Sequence, residues 1–521
     1  MTISRAAIFV AFVLILGVPF ALRPAARGPS KDVPRLVVVT PHVQQIRYEF
    51  ALGFDRWHRA RYGSEVSIDW RTPGGTTEII KQLEAQYAAV FKTGRYELRG
   101  DRENPEVFLA PGTIGLDMVF GGGTFDHGRL KSGVPARLSW PGGPSVDVRV
   151  PMSVPAGFSQ KQLDAWYGEN RIGAQMLYDP QQYWLGAALS AFGIVFNRDV
   201  LKALGLPEPQ KFEDLTDPRY TGWLALADPR QSGSIATSMD AILSNSGWEG
   251  GWRTLREMCA NTRYFTNSST KPPIDVSAGE AAAGLAIDFY GRGQAQAVMR
   301  PGETPETSRV GYIDPAGSVY IDADPISILR GGPHPELARR FVEFCLSDEG
   351  QTLWQFPPVG TAPDAPMVEG RRLGPERNEL RRAPVRRAVY QEYGAWFVDK
   401  ADLFKLASEA TPKGWRSSIG VMMGAFAIDT ADEQRAAWAA LNKARETPGF
   451  APARFDEMER LFYAWPSTRL PDGRVLDFTP ETCKAIVAAW KEPGMMPRTK
   501  IGYTEFFAGN YRRILELARE P

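Results

Sequence analysis

From residue 34 onward the chain alternates short apolar runs with turns and helical stripes, and that alternation limits the available folds more than any other feature. "RLVVVTP" is an apolar strand that stops at Thr40-Pro41. Residues 43–62 then place Val43, Ile46, Phe50, Phe54 and Trp57 at spacings of three and four, with Gly63 where a left-handed C-cap belongs. "SEVSIDWRT" alternates Val66, Ile68 and Trp70 as a half-buried strand does, and "PGGTTEIIKQLEAQYAAVF" follows as a glycine-rich turn into a helix. "GLDMVFGGG" is a further strand closing on three glycines. Parallel neighbours need a crossover and a helix supplies it, so the order predicts an α/β fold with a largely parallel sheet. Ligands of such sheets bind beyond the carboxyl ends of the strands. The loops at Thr40, at 74–77 and at 121–124 are therefore expected on one rim.

A second α/β stretch begins after a Pro/Gly-rich segment around 132–157. "YWLGAALSAFGIVFNRDVLKALGL" reads as a strand, an Asn-Arg-Asp helix entry and a short helix ended by Gly205 and Pro207. "WLALADPRQSGSIATSMDAIL" repeats the strand–loop–helix device, and "GEAAAGLAIDFYGRGQ", residues 279–294, supplies another strand. "VYIDADPISILRGG" comes next, then a helix in "HPELARRFVEFCLSDEGQTLW" with Leu337, Phe341, Phe344 and Cys345 on one face. Around 375 the character changes. "EGRRLGPERNELRRAPVRR" is Arg-rich, and the remainder reads as helices joined by Pro/Gly loops, with no internal repeat.

A length of 521 residues exceeds what one core serves, so two or three compact units are expected. Lys and Arg number 61 against 60 Asp and Glu, a net charge of +1, which argues against a nucleic-acid partner. Cys259, Cys345 and Cys483 form no C-x-x-C, and His42, His58, His127 and His334 show no paired spacing. No disulfide framework, metal site or cofactor is therefore expected. At the amino terminus Arg5 precedes an uncharged apolar run over 6–22, followed by Arg23 and Arg27, which describes an export signal or a retained anchor. Either places the bulk of the chain outside the cytoplasmic membrane.

Two loops have the chemistry to hold a ligand. "PGGTTE" puts Gly75 and Thr76 at a helix start, and "DPRQSGS" puts Ser232, Gly233 and Ser234 at another. Glycine lets backbone N–H groups approach a ligand, and a helix start favours an oxyanion. Each loop alone is equally a plain capped helix; recurrence in both α/β halves favours the ligand reading. Neither carries the lysine of a nucleotide P-loop, and "GGG" at 121–123 lacks dinucleotide spacing. Asp288, between an apolar run and Phe289-Tyr290, either closes an internal hydrogen-bond network with a backbone group or Arg292, or faces a cleft as an acceptor for a ligand.

The segments quoted from 183 to 234, from 279 to 294 and from 326 to 354 together resemble the extracellular solute-binding proteins of ABC importers, in the branch that handles ferric iron, thiamine and phosphonates. The likeness spans about 35–360 and leaves the tail outside. It implies a two-lobed type II periplasmic-binding fold with a hinge: residues 33–124 and 300–350 as the first lobe, 125–299 and 351–374 as the second, 375–521 as a mainly helical extension, and 1–31 as signal or anchor. It also implies ligand contacts at Thr40, Gly75, Thr76, Gly122, Ser232, Gly233, Ser234, Asp288 and Tyr290. The expected role is a monomeric, non-enzymatic receptor in the periplasm, handing a small phosphonate, sugar phosphate or zwitterion to an ABC permease. Iron-binding members carry adjacent tyrosines where this chain has Phe289-Tyr290, which puts iron chelation in doubt. An exported hydrolase using Asp126, Asp288, Asp322 or Asp324 is the alternative from another class.

Overall fold

The computed structural model describes residues 12–15, 17–18, 33–101, 105–139 and 143–519, so the expected signal or anchor over 1–31 falls almost wholly outside the described residues. Among the described residues no helix is long and apolar enough to cross a membrane.

Two sheets are built on the same order. In the first, Ser67–Arg71, Arg35–Val39 and Met118–Phe120 lie parallel, and Pro325–Leu329 inserts antiparallel beside the third, flanked by Ser153–Val154. In the second, Thr262–Thr266, Leu224–Ala227 and Ala283–Ile287 lie parallel, and Phe192–Asn197 inserts antiparallel, followed by Val310–Ile313. Each sheet thus receives one strand that has crossed from the other lobe. This exchange is the two-lobed type II periplasmic-binding fold. The inner strands Leu224–Ala227, Ala283–Ile287 and Phe192–Asn197 are buried at every residue, which is why they read as unbroken apolar runs.

The crossovers meet at Ser190 and Asp322, whose backbones exchange two hydrogen bonds of 2.9 Å. A third strand joins them from the extension: Ala383–Pro384 pairs antiparallel with Ala188–Leu189.

Several boundaries differ from those expected. The helix Thr124–Ser132 and the hairpin of Val134–Ser139 and Ser145–Val150 stay with the first lobe, because Leu130, Val134 and Leu138 share a core with Ile79, Leu83 and Tyr87. Val310–Ile313 pairs in the second sheet, although 300–350 was expected in the first lobe. Residues after 351 do not return to the second lobe: Leu353 lies against Gly53 of the helix Gln44–Tyr62, and Phe356 packs with Val389 and Phe397 of the extension.

The extension is helical and packs behind the second lobe, on the long helix Gly233–Ala260. Trp248 and Trp252 of that helix meet Trp465 and Phe478, and Trp248 also meets Trp415. Arg256 is fully enclosed there, donating to the Phe462 and Ala464 carbonyls with its guanidinium 4.1 Å from the Trp465 ring centre. With no carboxylate in that enclosure, burial pushes it down to about 10.

Candidate functional site

Between the lobes lies a cleft of about 560 Å³. The first lobe lines it with Pro41, His42, Gly74, Gly75, Thr76, Glu78, Gly122 and Gly123. The second contributes Gln231, Ser232, Gly233, Ser234, Thr237, Ser268, Ser269, Thr270, Phe289 and Tyr290; Ser190, Asp322 and Asp324 come from the crossovers, and Arg382 from the extension. Loops from the three first-lobe strand ends therefore do share one rim, opposed by the strand ends of the second lobe.

The helix starts at this rim are not equivalent. That of Thr124–Ser132 is answered inside the protein, since Thr124 N–H donates to both Asp322 carboxylate oxygens at 2.9 and 3.2 Å. At Asp288–Ala297 the Phe289 N–H donates to Asp288 Oδ1 at 2.9 Å. Lys271–Ala278 opens with Pro272 and Pro273, which have no N–H to offer, and presents the hydroxyls of Ser268, Ser269 and Thr270 instead. Two starts keep free donors. Thr76–Lys92 has no side-chain cap, and at Gly233–Ala260 the Ser232 hydroxyl accepts only from Ile235, at a long 3.4 Å. These two face each other across the lobes: a Cβ placed on Gly75 would lie 3.6 Å from the Gln231 carbonyl. Glu78, in the first turn, leans back over Gly74 and Gly75. Glycine is required at Gly122, where φ is +110° and a Cβ would meet Thr76 Cγ2 at 2.6 Å.

At the inner end sits a buried ionic group. Asp324 Oδ2 lies 2.9 Å from His42 Nε2 and 2.8 Å from Arg382 Nη1, and its Oδ1 accepts from Gly122 N–H at 3.0 Å. Arg382 also donates to the Ser190 hydroxyl and lies 4.6 Å from the centre of the Phe289 ring. Burial acts to raise the Asp324 carboxyl, but Arg382 and His42 outweigh it and hold it down at about 2. Burial, against the pull of Asp324, lowers His42. Asp324 takes left-handed backbone, with φ of +43°, a strain this network holds in place. Two residues earlier, Asp322 is pushed up to about 6 by burial, so two carboxylates on one crossover are held in opposite directions.

Gly75, Thr76, Gly122, Ser232, Gly233, Ser234 and Tyr290 line the cleft, and two expected residues do not. Thr40 is fully buried beneath it, its hydroxyl donating to the Phe120 carbonyl at 2.6 Å and accepting from His42 N–H. Asp288 is also fully buried and faces away from the cleft. Its Oδ1 accepts from Phe289 N–H, the second of its helix, and its Oδ2, without a hydrogen-bond partner, lies 3.9 Å from Arg292, which pairs with Asp314. The carboxylate is thus turned inward, with an internal network closed at one oxygen only. Tyr290 is a neutral phenol, since burial pushes it up to about 12 with Arg382 opposing. Phe289 stacks on it with ring centres 4.1 Å apart.

The sequence signals missed Arg382, Glu78 and the hydroxyls of Ser268, Ser269 and Thr270. Asp322 and Asp324, named in the sequence only as hydrolase candidates, both line the cleft; nothing local marks Arg382, which lies 340 residues from His42.

Residues 157–369 match the family model of the bacterial extracellular solute-binding proteins. The phosphoglycerate transport regulatory protein PgtC of Salmonella typhimurium is 24% identical over 275 residues, which cover 49% of this chain and 66%, just under two thirds, of that protein. Among solved structures, AfuA of Actinobacillus pleuropneumoniae with fructose-6-phosphate bound is 18% identical, covering 72% of this chain and 94% of its own, at a TM-score of 0.43. The IdiA (FutA) protein of Trichodesmium with iron and citrate is 15% identical, covering 77% and 99%, at a TM-score of 0.45.

Proposed function

We propose that this protein is an extracytoplasmic receptor that closes its two lobes on a small solute bearing one oxyanion, and presents it to an ABC permease. The observation that carries the reading is the pair of open helix starts at Gly75–Thr76 and Ser232–Ser234, one from each lobe, facing across one cleft. Free first-turn N–H groups with adjacent hydroxyls stabilise an oxygen-borne negative charge. Because the two starts belong to different lobes, a ligand held by both stabilises the closed state. The name of PgtC, a phosphoglycerate transport regulatory protein, supports a phosphate-bearing solute, although the second anionic group of phosphoglycerate would meet Glu78 here. Glu78 and Asp322 beside the site disfavour a polyanion. The receptor is proposed to act as a monomer in the periplasm.

Turnover is not part of this reading. Both Asp324 oxygens are already engaged by His42, Arg382 and Gly122, and Asp322 is occupied by Thr124 N–H. Incubation with phosphate esters should release no phosphate. Iron chelation through a phenolate pair is disfavoured too, since Phe289 has no hydroxyl to stand beside that of Tyr290.

The test is titration calorimetry with alkylphosphonates and small phosphate monoesters, together with solution scattering. A binder should reduce the radius of gyration. Thr76→Pro removes one donor at a position that tolerates proline, following Gly75 in extended backbone (ψ 174°), and should weaken that binder by about tenfold or more. Absence of binding by every oxyanion tried, or unchanged scattering on binding, rejects the proposal.

A further inference from the structure

The extension passes the hinge before it packs behind the second lobe, and on the way it takes hold of both crossovers. The first hold lies over 376–384. Glu49, buried on the first-lobe helix Gln44–Tyr62, accepts the N–H groups of Glu376, Arg377 and Asn378 at 2.6, 3.0 and 2.9 Å and the Asn378 amide at 2.8 Å. Three residues on, Arg381 donates to Gln296 of the second-lobe helix Asp288–Ala297, and Glu379 accepts from the same Gln296 at 3.4 Å. Ala383–Pro384 then pairs with the first crossover. Three residues of chain span at most about 10 Å, so the lobes cannot part far at this edge without breaking an anchor.

The second hold is at Ser408, which is fully buried. Its N–H donates to the Val319 carbonyl of the second crossover at 2.9 Å, and Ala407 bridges to Val319 in parallel. Its carbonyl accepts at 2.9 Å from the N–H of Ala174, in the loop that leads to Leu185–Gly186 of the first sheet. Its hydroxyl donates at 2.8 Å to Asn245 of the second-lobe helix Gly233–Ala260. One residue thus touches both lobes and the strand between them. The approach is close enough to require glycine at Gly173, where φ is +55° and a Cβ would stand 2.3 Å from the Ser408 carbonyl oxygen.

We propose that the extension is a hinge clamp, which holds the solute-free chain close to the closed arrangement and leaves the rim at Gly75 and Gln231 only a narrow swing. A hinge works because a few residues absorb large φ/ψ changes, and residues fixed in backbone pairs cannot absorb them without losing those bonds. Here each crossover carries such a pair with the extension. The consequence for binding is preorganisation, since a chain already near its closed state gives up less on closing. The clamp is a property of the empty protein and holds whatever solute the cleft takes.

Spin-label distances on the full chain without solute test it. The three native cysteines are buried, so labels go to Lys81→Cys and Ile274→Cys, exposed positions on a first-lobe and a second-lobe helix. The otherwise native chain should give one narrow distance distribution. Arg381→Gly keeps the left-handed backbone (φ +56°) and removes the grip on Gln296, and Ser408→Ala removes the hydroxyl bound to Asn245. Together they should lengthen the mean distance by more than about 2 Å and broaden its spread. Glu49→Gln, checked for folding by its melting profile, should act in the same direction through the first-lobe anchor. A native distribution as broad as that of the variants, or variants that fold and keep the native distance, overturns the clamp.

Discussion

The helix Gly233–Ala260 begins in the solute cleft and ends in the rear interface, and its two ends are built on opposite rules. At the front its first turn is glycine and serine, with N–H groups left free and open space between the lobes. At the rear, beyond the break at Gly247, Trp248, Trp252 and Arg256 are enclosed by Trp465, Phe426 and Phe507 of the extension. Some polar groups there have partners, Trp438 Nε1 donating to Asn261 at 2.9 Å and Gln434 to the Arg256 carbonyl at 3.1 Å, while Trp252 Nε1, Arg256 Nη2 and Gln434 Oε1 are buried without one. The front keeps its donors where a ligand can reach them, whereas the rear is held by aromatic packing that shuts even its unpaired groups away from any ligand. Behind that helix the extension therefore shares the second lobe's core, while its Arg382 reaches the cleft.

The sharpest way to break that contrast is at the rear. Trp252→Ala should cost about 3–5 kcal/mol in denaturant unfolding, because a fully packed indole leaves a cavity among rigid rings. Solute affinity of the folded fraction should stay within about twofold. A large affinity loss without a stability loss would invert the comparison.

At the front, Arg382→Ala tests whether one extension residue is structural as well as facing the cleft. Removing it leaves Asp324 buried beside a His42 whose charged form burial disfavours, and should cost about 3 kcal/mol at pH 7. The pH dependence follows from the depressed carboxyl. Asp324 titrates near 2 in the folded chain and near 3.9 unfolded, so its contribution is present above about pH 4 and is lost as pH falls through 2. Wild type and variant should therefore converge in stability on acidification from pH 7 to 3. A constant gap across that range would show that Arg382 acts through packing on Phe289 and not through Asp324.

The smallest effect belongs to Asp288. Since its carboxylate is buried outside the cleft, accepting from Phe289 N–H and facing Arg292, Asp288→Asn should change solute affinity by less than about twofold. A tenfold loss would return Asp288 to the cleft and redraw the site.

How far the site was legible follows from sequence distance. The rim at 74–76, 122 and 232–234 could be read because glycines and hydroxyls at strand-to-helix turns are local signatures. Asp288 could not be oriented, because a residue at a strand-to-helix junction leaves the alternation of the strand before the periodicity of the helix begins. The boundaries at 125–154 and 310–313 were misread for a related reason: a strand's own residues do not record which of two sheets it will pair with.

By itself the sequence determined the α/β alternation, the two-lobed order and the loops at strand ends, since these depend on residues within a few positions of one another. Only the tertiary structure decided which helix starts stay open, because Asp322 closes that of Thr124–Ser132 through a contact that a linear reading does not contain. It also decided that Arg382 completes the cleft. Charge complementarity is a property of distances in space, and a chain that crosses between lobes and folds back in an extension scrambles those distances relative to its numbering.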